Sequence, residues 1–174
     1  MKIAYAILVL VVLQRLAELW YASRNTRALK ARGAVEYGRA HYPLIVLLHA
    51  SWLMAIATGV RRDPSVHLLP LVLFGVLQAM RMWVIATLGR YWTTRIITVP
   101  GEPLVGRGPY RFVRHPNYLV VSGEMAVLPL VFGQVTNAIV FSALNLGLLA
   151  WRIRQENAAL EARRTPVKPF APSL

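Results

Sequence analysis

Cysteine is absent from the 174 residues, which excludes a disulfide framework and a thiolate metal centre. The four histidines, His41, His49, His67 and His115, lack the close spacing that zinc sites use, so no bound metal is expected. No segment repeats at a period of about 20–50 residues, which excludes a solenoid or propeller. Acidic residues are scarce: 7 Asp and Glu against 20 Lys and Arg leave a net charge of +13. The excess does not describe a nucleic-acid surface. Its cations fall between apolar runs and form neither a stripe along one helix nor a block interleaved with aromatics, so no nucleic-acid partner is expected.

What the sequence does contain is apolar. Hydrophobic residues make up 56% of the chain and mean hydropathy is +0.47, a membrane composition. Runs long enough to cross the bilayer as helices occur at about 3–22, 42–60 and 68–89. The region 118–151 is too long for one crossing and is broken at Gly133-Gln134-Val135-Thr136-Asn137, which predicts a hairpin of spans 118–132 and 138–151. The first run is a retained span, since it continues to Tyr21, carries Arg15 and Glu18, and has no small-residue cleavage site after it. The fold class expected is therefore an all-α integral membrane protein of five transmembrane helices in one domain over 1–174, with a cytoplasmic C-terminal helix.

Lys and Arg number five in 23–41, two in 61–67, five in 90–117, none in the hairpin turn and five from Arg152 onward. Under the positive-inside rule this alternation places the N-terminus outside and the C-terminus in the cytoplasm of a cell (inner) membrane. The first loop, the loop 90–117 and the segment 152–174 then share one face. Residues 165–172, Thr-Pro-Val-Lys-Pro-Phe-Ala-Pro, read as a disordered or extended tail.

Several charges stand where lipid is expected. Gln14, Arg15 and Glu18 lie one helical turn apart, and Gln78 and Arg81 repeat the spacing. They either pair and snorkel or hold a ligand. His49 reads as a hydrogen-bonded packing residue. Glu124 either meets a cation of a ligand or pairs with Arg114 or Arg81. Arg152 and Glu156 face the same way and, by spacing alone, are an ordinary exposed ion pair. In 90–117, Gly101, Gly106 and Gly108 permit unusual backbone, while Pro100, Pro103, Pro109 and Pro116 stiffen the path. Arg111 and Arg114 offer forks for a carboxylate, and Tyr110, Phe112 and Tyr118 offer flat faces. Together these suit a nucleoside-containing cofactor with an anionic end.

Taken in order, Gln78-Ala-Met-Arg81-Met-Trp83, Leu88-Gly89-Arg-Tyr-Trp92-Thr93, Gly108-Pro109-Tyr110-Arg111-Phe-Val-Arg114-His115-Pro116-Asn117-Tyr118 and Arg152-x-x-x-Glu156-x-x-x-Leu160 resemble the isoprenylcysteine carboxyl methyltransferase family. The resemblance implies a membrane enzyme that uses S-adenosyl-L-methionine to methylate an oxygen of a lipophilic acceptor drawn from the bilayer. It implies a cofactor site of Gly108, Tyr110, Arg111, Arg114, His115, Pro116, Tyr118 and Glu124, with Arg152 and Glu156 catalytic. Where the family often has two adjacent glutamates, the second position here is Asn157. Arg15-Leu-Ala-Glu18, Arg24-Asn25, Arg32-Gly33-Ala34-x-Glu36-x-Gly38 and His41-Tyr42-Pro43 resemble a bacterial branch found beside type III polyketide synthases, thought to methylate alkylpyrone or alkylresorcinol hydroxyls. That resemblance makes a neighbouring polyketide synthase an expected partner. Readings that stay open are a phospholipid N-methyltransferase, an NADPH-dependent membrane reductase with a similar loop, and a non-enzymatic scaffold or transporter.

Overall fold

The computed structural model describes residues 2–62 and 65–164. The tail at 165–172 lies outside them. Among the described residues there are five α-helices: α1 (Lys2–Ala31), α2 (Tyr42–Arg62), α3 (Leu68–Leu88), α4 (Pro116–Val131) and α5 (Val135–Arg164). Four of these are long and apolar enough to cross a membrane, and α4 is a shorter apolar helix. At 16 residues it spans about 24 Å.

The helices are apolar on more than their inner stripe. Ile3, Leu10, Leu16, Leu47, Met54, Leu69 and Leu119 are all exposed, which suits a surface whose solvent is hydrocarbon. Inside, Ala4, Leu8 and Val11 of α1, Trp52, Ile56 and Val60 of α2, Phe74 of α3 and Met125, Leu128 and Val131 of α4 form one core. A second, smaller cluster joins Ala22, Val84, Ile85 and Trp92 near the other end of the bundle.

Two short turns stitch the end far from that second cluster. The His67 amide donates to the Val131 carbonyl at 2.8 Å, and the Gln134 side-chain amide donates to the Ile56 carbonyl at 3.1 Å. Both connections, α2 to α3 and α4 to α5, are thereby tied together, which satisfies backbone groups that lipid could not.

At the opposite end the connections are long and structured. Two three-residue strands, β1 (Val35–Tyr37) and β2 (Ile96–Thr98), pair antiparallel with Glu36 opposite Ile97. This sheet joins the first loop to the third, and the sequence carries no alternation long enough to announce it. The first apolar run also continues as helix to Ala31, about nine residues beyond the expected span end, so much of the expected first loop is helical. The segment expected as a C-terminal helix is the continuation of α5 without a break.

Candidate functional site

The third connection is set against the bundle by specific bonds. The Asn25 side-chain amide on α1 donates to the carbonyls of Gly89 at 3.0 Å and Trp92 at 2.9 Å, fixing where the chain leaves α3. Further on, a single helical turn (Gly108–Arg111) packs on α3. Gly108 has φ +58, and a Cβ there would stand 2.5 Å from Thr87 Oγ1, so no other residue fits without strain. His115 then takes an extended φ of −130°, and Pro116 occupies the first turn of α4, where its missing N–H costs nothing.

Between this connection and the exit of α5 lies a cavity of about 400 Å³. Its wall includes Leu29 of α1, Leu88 of α3, Trp92 to Glu102 in part, Tyr110, Arg114, His115, Asn117 and Tyr118, and Arg152, Glu156 and Asn157 of α5. The two regions that the sequence singled out therefore meet.

Tyr118 stands at the centre of the polar wall. Its hydroxyl accepts from Arg152 Nε at 2.8 Å and donates to the Glu156 carboxylate. Arg152 Nη2 donates to the Thr94 carbonyl at 2.9 Å. The His115 ring stacks on the Tyr118 ring at 5.2 Å, and its Nδ1 lies 3.7 Å from Glu156 Oε2. Arg152 and Glu156 are thus not the exposed ion pair that their spacing suggests: Arg152 is buried, and the tyrosine hydroxyl stands between them. Burial, then the nearby Glu156 charge, pushes the Tyr110 phenol well above its ordinary value. It stays protonated and available as a donor.

Gly108, Arg111, Pro116 and Glu124 do not line the cavity. Gly108 packs on Thr87 as described, Pro116 is buried in the start of α4, and Arg111 is exposed with its guanidinium 4.8 Å from the neighbouring Phe112 ring. Glu124 is consumed elsewhere. Its carboxylate accepts from Arg15 Nη2 and Gln78 Nε2, each at 2.8 Å, and from Arg81 Nη1 at 3.0 Å. Arg81 also grips Glu18 through Nε at 2.7 Å, Arg15 reaches Glu18 at 3.0 Å, and Gln14 joins Glu18 and Gln78. Two carboxylates and two guanidiniums on three helices thus neutralise one another inside the bundle. His49 takes the packing role expected, with Nδ1 2.8 Å from the Ile45 carbonyl and its ring edge-on to Trp52.

Sequence reasoning placed the first loop and the loop 90–117 on one face with 152–174 but gave Thr94, Arg95 and Glu102 no individual role at this end of the molecule. The Glu36 side chain is almost fully covered and bonds Lys30 and Arg95, the latter at 2.5 Å. Its burial favours the neutral acid, but hydrogen bonds from Lys30 and Arg95 outweigh this and hold its carboxyl below the usual range. Glu102 accepts from Tyr91 and Arg32. The signal for these pairs was a lone acid in each of two basic segments.

No solved structure matches the chain. The uncharacterized protein YpbQ of Bacillus subtilis (strain 168) is 36% identical over 162 residues, covering 90% of this chain and 96% of its own. An uncharacterized protein of Haemophilus influenzae (strain ATCC 51907 / DSM 11121 / KW20 / Rd) is 30% identical over 153 residues, covering 84% and 88% respectively. The model of the isoprenylcysteine carboxyl methyltransferase (ICMT) family matches residues 68–162, more than half of the chain and the part that supplies most of the cavity wall. With its apolar helices and these motifs, the chain belongs to the isoprenylcysteine carboxyl methyltransferase family of membrane methyltransferases.

Proposed function

We propose that this protein is an S-adenosylmethionine-dependent O-methyltransferase acting on a lipophilic acceptor at the cytoplasmic face of the inner membrane. The N-terminus is then outside and the C-terminus cytoplasmic, as the charge alternation requires. The observation that carries the reading is the cavity between the third connection and α5, with the Arg152–Tyr118–Glu156 chain on its wall.

The lining suits the cofactor. Its volume lies within the range of small-molecule sites, roughly 300–1,000 Å³. Trp92 Nε1 and Asn117 Oδ1 belong to lining residues, are buried, and have no hydrogen-bond partner among the described residues. One donor and one acceptor left unsatisfied are what a nucleoside would complete. The stacked His115 and Tyr118 rings offer a flat face, Glu156 and Glu102 offer negative charge for an ammonium, and Arg114 offers a fork for a carboxylate. When bound, S-adenosylmethionine supplies an electrophilic methyl group on a positively charged sulfur.

Methyl transfer needs acceptor oxygen, carbon and sulfur nearly in line, so the chain's contribution is positioning and exclusion of water. Arg152 orients the acceptor oxygen: Nε and Nη2 are anchored on Tyr118 and Thr94, and Nη1 donates no hydrogen bond among the described residues. Tyr118 passes the influence of Glu156 to Arg152 without direct contact. A carboxylate, or an acidic pyrone enol, is already ionised near neutral pH and needs no base. With a neutral resorcinol hydroxyl, Glu156 or His115 takes the proton. The acceptor is a prenylcysteine-like carboxylate or, following the residues shared with the polyketide-associated branch, the ring hydroxyl of an alkylpyrone or alkylresorcinol.

Arg152→Ala and Glu156→Ala are each expected to abolish methylation while leaving the protein inserted and folded. Calorimetry in detergent is expected to detect S-adenosylmethionine binding that Arg114→Ala or His115→Ala weakens. Full activity in both α5 variants, or no binding of the cofactor by wild type, overturns the reading.

A further inference from the structure

Arg152 is anchored from a direction that the family motifs do not reach. Its Nη2 donates to the carbonyl of Thr94, a residue that stands between the two lining residues Thr93 and Arg95. Thr94 is in turn tied to the start of α2, where the first loop ends, because its Oγ1 lies 3.2 Å from the Tyr42 hydroxyl. Arg95, the next residue, lays its guanidinium 4.2 Å from the centroid of the same Tyr42 ring and donates to Glu36 at 2.5 Å. Glu36 sits in β1, paired across to β2, and also holds Lys30 and Arg39.

The loop that presents Tyr42 is itself tightly determined. Gly38 takes φ +59, and a Cβ there would lie 2.6 Å from His41 Cε1. His41 is buried beneath it, edge-on to Trp151 at 5.8 Å, beside Arg152 in sequence. Two elements thus brace one short stretch: a sheet strand after it and an aromatic ring with a carboxylate before it.

We propose that Glu36, Tyr42 and Arg95 form a clamp that fixes the Thr94 carbonyl against Arg152, making the first loop a positioning element of the active site. Tyr42 and Glu36 lie outside the family-matched residues 68–162, so this is a contribution of the chain's N-terminal third. The inference rests on the proposed function, in that Arg152 is taken to orient the acceptor oxygen. Tyr42 and Glu36 touch neither acceptor nor cofactor; they act through Thr94.

The test uses the full chain in detergent with S-adenosylmethionine, and farnesylated N-acetylcysteine and an alkylresorcinol as acceptors. Tyr42→Phe keeps the ring beneath Arg95 and removes only the hydroxyl. Losing one net hydrogen bond in the clamp is expected to lower kcat by roughly 2- to 12-fold, with the KM for S-adenosylmethionine unchanged. Thr94→Val is expected to match it, and the double variant is expected to lose no more than either single, because both remove one contact. Additive losses, wild-type kcat in Tyr42→Phe, or a raised KM with kcat intact overturns the clamp. Arginine modification by phenylglyoxal, localised by mass spectrometry, separates this failure from failure of the function. Should wild type methylate neither acceptor, the enzymatic reading fails for these classes, while faster modification of Arg152 in Tyr42→Phe still supports the clamp. An unchanged rate at Arg152 overturns it.

Discussion

Replacing Glu124 by alanine removes one of two carboxylates that balance two guanidiniums within the bundle. Three hydrogen bonds go with it, from Arg15 and Gln78 at 2.8 Å and Arg81 at 3.0 Å. Glu18, still bonded to both Arg15 and Arg81, balances one of their two positive charges and leaves one unit of buried charge uncompensated. Breaking a buried pair from one side costs about 3–5 kcal/mol, mostly the penalty of the stranded charge. The double variant Arg81→Met/Glu124→Leu removes one charge of each sign and leaves Arg15 paired with Glu18, so it is expected to recover most of that loss. Unfolding in detergent monitored by tryptophan fluorescence reads both numbers. Cofactor affinity gives a second reading of the same variant. A residue that only balances Arg15 and Arg81 shifts the S-adenosylmethionine Kd little when changed, whereas a charged hydrogen bond to the cofactor would cost about 10- to 150-fold. A Glu124→Ala protein as stable as wild type, or a double variant no better than the single, refutes the charge-balance argument.

Gly108→Ala forces a side chain into left-handed backbone and onto Thr87. The strain of about 1–2 kcal/mol per residue is expected to loosen the third connection, seen as faster amide exchange over 105–115; pairing it with Thr87→Ala relieves the contact but not the strain. Glu36 gives a pH signature. Because its folded pKa lies below the ordinary value of 4.5, the unfolded chain binds its proton first as pH falls, and stability drops with pH through that window. Its contribution is complete above that ordinary value and lost as pH falls through the lower folded one, so Glu36→Gln is expected to be less stable than wild type at pH 7 and to converge with it in acid.

The membrane character of the chain was legible because hydropathy is a sum over some 20 residues and tolerates local exceptions. The hairpin at Gly133 was legible because the apolar region 118–151 exceeds one crossing and is interrupted by turn residues. What escaped were features set by pairing over long separations. Strands of three residues leave no periodic trace, and Glu36 meets Arg95 only because the two loops share one end of the bundle. The helical continuation from Ser23 to Ala31 was missed because hydropathy ends where the polar residues begin, although the backbone has no reason to stop there. Spacing placed Arg152 and Glu156 on one side of α5 and suggested a direct pair, yet a tyrosine from α4 comes between them, which no pattern within α5 could reveal. Glu124 was legible in part: pairing with Arg81 was one of the two expected alternatives and is what the bundle contains, together with Arg15, which its neighbours in sequence did not suggest.

The sheet that joins 35–37 to 96–98, and the cavity wall completed by Arg152 and Glu156, draw on segments far apart in the polypeptide. During synthesis the early strand is made first and its partner some sixty residues later, and the arginine arrives only with the final helix. A nascent chain halted before α5 lacks the cavity wall that Arg152, Glu156 and Asn157 supply. Competence for the proposed chemistry therefore waits on α5, the last of the described helices to be made.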